Sequence, residues 1–189
     1  MLTFDDGPNN EHTPEVLNLL KEYNATATFF IIGKNIEGNE SIVKSIDAAG
    51  HTLGNHSFSH SFFIDFKSKK AFVDEVNSTS KLVDSIIGKK MKLFRPPYGV
   101  TTPNLARAAK ELNLQVIGWN VRSLDTTNDS QEVILNRIKQ KLKPGSIVLL
   151  HDTSSKSVNV LRHLLQHCAA SGIKIVNVEN ALNIKAYES

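Results

Sequence analysis

The feature that most narrows the fold of this chain is an alternation. Apolar runs of strand length, at residues 1–4, 26–32, 52–55, 92–95, 115–119, 146–150 and 173–177, are separated by longer stretches with helical periodicity. In the first of those stretches Val16, Leu17, Leu19, Leu20 and Tyr23 share one face. The others run over residues 42–49, 68–87, 102–112, 130–141 and 157–170, with a last helical turn at 179–184. Thr13-Pro14 reads as an N-cap followed by proline at the first helical position. Gly50 and Gly172 read as helix stops, and Pro96-Pro97 cannot extend a strand ladder. Repeated strand–helix units predict a parallel sheet or barrel. About seven units in 189 residues fall short of a complete eight-unit barrel. The expectation is therefore an α/β protein, an irregular or incomplete (β/α) barrel of about seven parallel strands. An open doubly wound sheet shares the same periodicity, but it usually carries a glycine-rich phosphate loop after its first strand. Asp5-Asp6-Gly7-Pro8 is not such a loop.

The length suits one domain spanning residues 1–189. A first strand of only Met1 to Phe4 is short. The expectation is that the sequence begins inside a longer native protein and lacks the start of that strand. If that longer protein is exported, it would work outside the cytoplasm or at the cell envelope. The net charge of +3 is spread over mixed signs, with no basic block interleaved with aromatics, which argues against a nucleic-acid partner. The longest apolar run, residues 27–32, is too short to span a membrane. The single cysteine, Cys168, excludes an intrachain disulfide and reads as a packed thiol on a helix.

The polar residues fall in a pattern. Asp5 and Asp6 follow the first run and His56 and His60 the third. Arg95 closes the fourth, Asp125 lies beyond the fifth and His151 ends the sixth. All sit past the carboxyl end of an expected parallel strand, the rim on which α/β proteins build sites. Two adjacent carboxylates before Gly-Pro fit either a solvated turn or a pair separated by a cation or a shared proton. His56-x3-His60 suits a metal site that one carboxylate would complete, leaving a fourth position open. His163-x3-His167 has the same spacing, but its apolar neighbours leave both histidines on a polar helix face, so it reads as ordinary surface. His12 and His51 read as a helix-entry residue and a strand start. Arg95, held before two prolines, suits a bidentate clamp on a carboxylate. His151 fits a buried histidine or, with Asp125 raising its pKa, a general acid.

Thr3-Phe4-Asp5-Asp6-Gly7-Pro8, His56-Ser57-x-x-His60, Arg95-Pro96-Pro97-Tyr98 and Leu149-Leu150-His151 together resemble four of the five motifs of the polysaccharide deacetylases, the NodB homology domain of carbohydrate esterase family four. They come in family order over nearly the whole chain. The resemblance implies an irregular (β/α) barrel that hydrolyses acetamides on N-acetylated glycans, such as peptidoglycan or chitin-like oligosaccharides. It implies a divalent metal, usually zinc with cobalt as an alternative, held by Asp6, His56 and His60. It further implies Asp5 as general base oriented by Arg95, and His151 paired with Asp125 as general acid. Tyr98 would supply an oxyanion-binding N–H, with Pro97 beside it, and Leu149 would line the acetyl pocket. The fourth motif departs: the family often reads Asp-x-x-Asp-Trp where this chain has Arg122-Ser123-Leu124-Asp125-Thr126. The second Asp is kept, and an altered substrate groove is expected. Residues 62–66, Phe-Phe-Ile-Asp-Phe, are either a groove feature or core under a loop.

Three readings compete with an N-deacetylase. An O-acetyl esterase on xylan-type glycans would use the same attack. A glycan-binding pseudoenzyme would keep the fold without turnover. A two-histidine, one-carboxylate triad also serves non-haem iron oxygenases.

Overall fold

A computed structural model describes residues 1–63 and 67–188. Its seven-stranded sheet has the order β5-β4-β3-β2-β1-β7-β6, all neighbours parallel. The strands are β1 (Leu2–Asp5), β2 (Ala27–Ile31), β3 (Thr52–Asn55), β4 (Leu93–Phe94), β5 (Gln115–Val116), β6 (Val121–Arg122) and β7 (Val148–His151). Going round from β6 through β7 and β1 to β5, every strand follows its sequence neighbour, as in a barrel. Only β5 and β6 fail to pair. The barrel is thus incomplete, open between two strands that are consecutive in sequence. The helices are α1 (His12–Glu22), α2 (Glu40–Ala48), α3 (Lys69–Ile87), α4 (Pro103–Glu111), α5 (Gln131–Lys141), α6 (Ser155–Ala170) and α7 (Val178–Leu182).

Alternation along β1 divides the inside from the outside. Leu2 and Phe4 join the main apolar core with Val16, Leu20, Phe29 and Leu161, and Phe4 stacks on Phe29 at 5.0 Å. Thr3 and Asp5, also buried, point to the other side. Asp5 lies in register with Phe30 of β2 and His151 of β7, so the ladder itself brings Asp5 and His151 together.

Most helix starts fall where their capping residues predict them. Ser68, Thr102 and Ser130 accept the N–H groups of Ala71, Leu105 and Val133. α1 differs, because Asn9 Oδ1 takes the N–H groups of Glu11 and His12, starting the helix a residue before Thr13. Thr13 is instead buried and donates to Asp152 Oδ2 at 2.5 Å. The expected strands at 115–119 and 173–177 also differ. The chain leaves the sheet after Val116 to cross the barrel opening, then pairs again as β6, a strand too short to show in the apolar pattern. Residues 173–177 form no ladder, since both edges of β7 are taken by β1 and β6.

Candidate active site

A cavity of about 250 Å³ opens at the carboxyl ends of the strands, lined by Asp5, Asp6, His56, His60, Tyr98, Trp119, Arg122, Leu124, Thr126, Leu149 and His151. That is small beside ligand pockets of roughly 300–1,000 Å³, and suits one acetyl group with part of a sugar ring. A larger groove of about 670 Å³ lies between α1 and α2, but it is lined by one histidine, His51, and no carboxylate. The convergent chemistry is at the smaller site.

Asp6 leaves β1 with φ 75°, a left-handed conformation that swings its side chain into the cavity beside Asp5. His56 follows β3, and the left-handed Ser57 and His60 fold the loop back so that both imidazoles converge. His56 Nδ1 lies 2.7 Å from Arg95 O. A carbonyl only accepts, so Nδ1 carries the proton and Nε2 presents a bare lone pair. Burial pushes the His56 pKa down to about 3, against the pull of Asp6, so the ring is neutral. That lone pair faces Asp6 Oδ1 at 3.5 Å and Asp5 Oδ2 at 3.7 Å, and His60 Nε2 is 3.4 Å from the same Asp6 oxygen. The carboxylate–histidine contacts are therefore not ion pairs at His56, since the neutral ring has no charge to offer.

Asp6 Oδ1 is buried and accepts no hydrogen bond among the described residues. Lone pairs pointed at one another repel unless a cation or a proton lies among them. One ligand atom from each of Asp6, His56 and His60 fits within 4.8 Å of the others. The separations of 3.4–3.5 Å also match two ligands each about 2.1 Å from a shared tetrahedral ion. The donor set fits a divalent metal. Among the described residues nothing comparable gathers at His163 and His167, of which His163 is exposed with Nδ1 2.9 Å from Asn159 O.

Arg95 is fully buried inside the barrel. It donates to Asp5 Oδ1 and Thr3 Oγ1 at 2.7 Å, to Ile117 O at 3.0 Å and to Gly118 O at 2.9 Å. Its guanidinium lies over Phe30, 4.1 Å from the ring centroid, and 5.5 Å from that of Trp119. One side chain thus holds Asp5 and ties down the segment that crosses the barrel opening. Burial raises the Asp5 carboxyl above its ordinary value, while Arg95, His151 and His60 pull it back. Oδ1 is engaged by Arg95, and Oδ2 is the oxygen turned toward His56.

His151 Nδ1 lies 2.8 Å from Asp125 Oδ1, and its backbone N–H donates to Asp125 Oδ2 at 2.8 Å. Nε2 faces inward, 3.8 Å from Asp6 Oδ2. Burial disfavours the imidazolium, but the hydrogen bond and charge of Asp125, with Asp6 and Asp5 behind them, outweigh it and raise the His151 pKa. At Asp125 burial likewise opposes ionisation, and His151 overrides it to hold the carboxyl below its usual range. Asp125 lies beyond β6, not directly beyond β5.

Leu149 is buried in the cavity wall. Tyr98, at φ 58° and ψ 2°, is 49% exposed, with its ring 4.7 Å from that of His60. Pro97 is buried and does not line the cavity. Phe62 and Phe63 are 74% and 67% exposed, with Phe62 edge-on to Tyr98 at 5.9 Å, so they are not core under a loop. Residues 64–66 of that segment lie outside the described residues.

Some participants had no role assigned from the sequence, even Thr3, which stands in the first motif. Thr3 and Trp119 read as strand residues, and Glu75 as one more polar position on a helix. Yet Glu75 takes the N–H groups of Phe58 and Ser59 at 3.0 and 2.8 Å and so braces the loop between His56 and His60.

An incomplete (β/α) barrel with a two-histidine, one-carboxylate cluster able to hold a metal, a clamped carboxylate and a carboxylate-paired histidine has the groups that hydrolytic chemistry uses. The match to the polysaccharide deacetylases covers residues 1–117. A peptidoglycan-N-acetylglucosamine deacetylase of Bacillus cereus is 34% identical over 181 residues, covering 94% of this chain and 66% of that protein. A peptidoglycan-N-acetylmuramic acid deacetylase, PdaA of Bacillus subtilis, is 31% identical over 187 residues, covering 96% of this chain and 70% of that protein. The crystal structure of the Bc1960 peptidoglycan N-acetylglucosamine deacetylase superposes with a TM-score of 0.92 at 32% identity, covering 99% of this chain and 89% of that one. This chain belongs to the polysaccharide deacetylase family.

Proposed function

We propose that this protein is a metal-dependent hydrolase that removes acetyl groups from an N-acetylated glycan, of the peptidoglycan or chitin-like kind on which its relatives act. The observation that carries the proposal is the convergence of one ligand atom each from Asp6, His56 and His60 within 4.8 Å, flanked in one cavity by the Asp5–Arg95 and His151–Asp125 pairs. Asp6, His56 and His60 would hold the cation, and two nitrogens with one oxygen favour zinc over magnesium or calcium. When bound, such an ion polarises a carbonyl and acidifies water.

The remaining roles follow from atoms of this chain. Asp5 Oδ2, turned to the cavity because Arg95 holds Oδ1, takes the proton of the attacking water. Water adds to the acetamide carbon, and the carbonyl oxygen gathers negative charge beside Tyr98. His151 keeps its Nδ1 proton on Asp125 and delivers the Nε2 proton to the departing nitrogen. The C–N bond breaks, leaving acetate and a free amino sugar. Leu149 gives the acetyl methyl an apolar wall.

The test is acetate release from N-acetylglucosamine oligomers, peptidoglycan strands and acetylated xylan, by protein stripped with a chelator and then reloaded with zinc, cobalt or iron. Release from the amides only after zinc or cobalt is expected. Release from xylan alone would make it an O-acetyl esterase. Glycan binding without release under any metal would make it a non-catalytic binder, and oxygen consumption with iron would point to oxygenase chemistry.

A further inference from the structure

The cavity holds one charged side chain for which that reaction has no use. Arg122 ends β6 in register with Leu149, is exposed, and lines the same wall as Asp5, Asp6, His60 and His151. Arg95 pairs with Asp5, Arg137 with Asp129, and Arg107 contacts Asn104. Arg122 has no hydrogen bond or ion pair among the described residues. Nor does the site need it for balance, since Arg95 already neutralises Asp5. Leu124, at φ 60°, turns the chain so that Asp125 is buried against His151 while Arg122 and Thr126 stay exposed at the rim. Thr126 is small, and leaves room beside the guanidinium for a substituent on the sugar.

We propose that Arg122 is a recognition site for a carboxylate carried by the same sugar ring whose acetamide is hydrolysed. The proposal rests on the deacetylase reading above and adds the substrate class to it. A cavity of about 250 Å³ admits little besides the acetamide and the ring atoms next to it. A carboxylate within an arginine's reach of the reacting carbonyl must therefore hang from a carbon near the acetamide. A 2-acetamido sugar with an acidic ether on its third carbon, as in N-acetylmuramic acid, has that arrangement. The planar fork of a guanidinium takes both carboxylate oxygens at once.

The experiment compares matched substrates. Glycan strands freed of their peptides, with the lactyl carboxylate intact, are set against the same strands with that group amidated, which removes the charge and keeps the bulk. Zinc-loaded wild type and the variants Arg122→Gln, Arg122→Lys and Arg122→Asp are assayed for acetate release. Binding is followed separately by fluorescence of Trp119, the only tryptophan in the chain and a residue of the cavity wall. The wild type should prefer the acid over the amide by about tenfold in kcat/KM and in Kd, as expected for a partly desolvated charge-assisted pair. Arg122→Gln should bring the ratio near one, Arg122→Asp below one, and Arg122→Lys should restore part of it. A wild-type ratio near one, or a ratio that Arg122→Gln leaves in place, overturns the proposal. Arg122-dependent binding of the acid without acetate release would sink the deacetylase reading and keep the anion site. Acetate release with no preference for the acid would do the reverse.

Discussion

Arg95 shows how much one buried side chain can organise. Its four hydrogen bonds reach Thr3 and Asp5 of β1 and the carbonyls of Ile117 and Gly118 in the barrel crossing. Truncating it would strand Asp5 in a site with no exposed surface to relieve it. Removing one partner of a buried pair costs about 3–5 kcal/mol. Arg95→Met should lower stability by about that amount in urea unfolding, and should abolish acetate release. The loss should shrink at low pH, where Asp5, its pKa released from Arg95's downward pull, takes up a proton. The other pair gives a kinetic prediction. In the proposed reaction His151 must be protonated to donate, so kcat/KM should fall as pH rises through its pKa. Asp125 holds that pKa up. Asp125→Asn should move the alkaline limb of the pH–rate profile to lower pH and cut kcat by about 10²–10⁴. An unmoved limb would assign the acid elsewhere. Asp5, His56, Arg95 and His151 were legible in sequence because each interrupts or ends an apolar run, where a polar side chain needs a reason. Thr3 and Trp119 were not, because a threonine or tryptophan in a strand is ordinary and its partner here is ninety or so positions away or across the barrel opening.

At the scale of elements, the turns do the positioning. The loop from His56 to His60 has no regular structure of its own, yet hydrogen bonds beyond the two that Glu75 makes to the Phe58 and Ser59 N–H groups help fix its path. Asn55 Oδ1 takes the N–H of Ser57 at 2.8 Å, Thr79 Oγ1 donates to Ser57 O at 2.9 Å, and Glu75 Oε1 accepts from Ser59 Oγ at 2.7 Å. Through Glu75 and Thr79, α3 thus backs the loop that carries His56 and His60. Burial opposes ionisation of Glu75, but Lys67 and the Ser59 groups outweigh it and keep the carboxylate charged. Glu75→Ala should weaken zinc binding about tenfold or more, the effect usual for groups that orient ligands. Competition with a chelating dye measures it, and Glu75→Gln, which still accepts, should recover most of the affinity. Zinc affinity equal to wild type in Glu75→Ala would mean the loop holds itself. The limits of sequence reading lie at this scale too. Amphipathic stretches and caps located α3 and α4 to within a residue or so, since side chains spaced three and four apart are a local signal. The exchange of an expected strand at 173–177 for β6 was not readable, because pairing depends on which sheet edges remain free.

The whole molecule adds a constraint that no single site residue reveals. Beside the site lies one buried carboxyl group that the proposed reaction does not use, Asp152. It follows His151, is wholly buried, and has Oδ1 without a hydrogen-bond partner among the described residues, while Oδ2 accepts from Thr13. Its carboxylate packs against Gly7, where a Cβ would meet Oδ2 at 2.5 Å, so the first turn depends on its position. Burial raises the Asp152 pKa from 3.8 to about 7, Thr13 opposing. The folded state therefore binds this proton more tightly than the unfolded chain does. Its contribution to stability is fully present below the unfolded value of 3.8 and is lost as pH rises toward about 7. His56 acts with the opposite sign, because its pKa is lowered from 6.5 to about 3 and its contribution is lost as pH falls through that window. A single stability profile would blend the two. The difference between wild type and Asp152→Asn, taken from urea midpoints at several pH values in chelator, isolates the first. Asparagine keeps an acceptor for Thr13 without a charge to desolvate. The variant should therefore gain on the wild type steadily between pH 4 and 7 and hold a constant lead above that. A difference independent of pH would show that Asp152 is ionised in the fold, which would require a cation close enough to Asp152 to stabilise its charge.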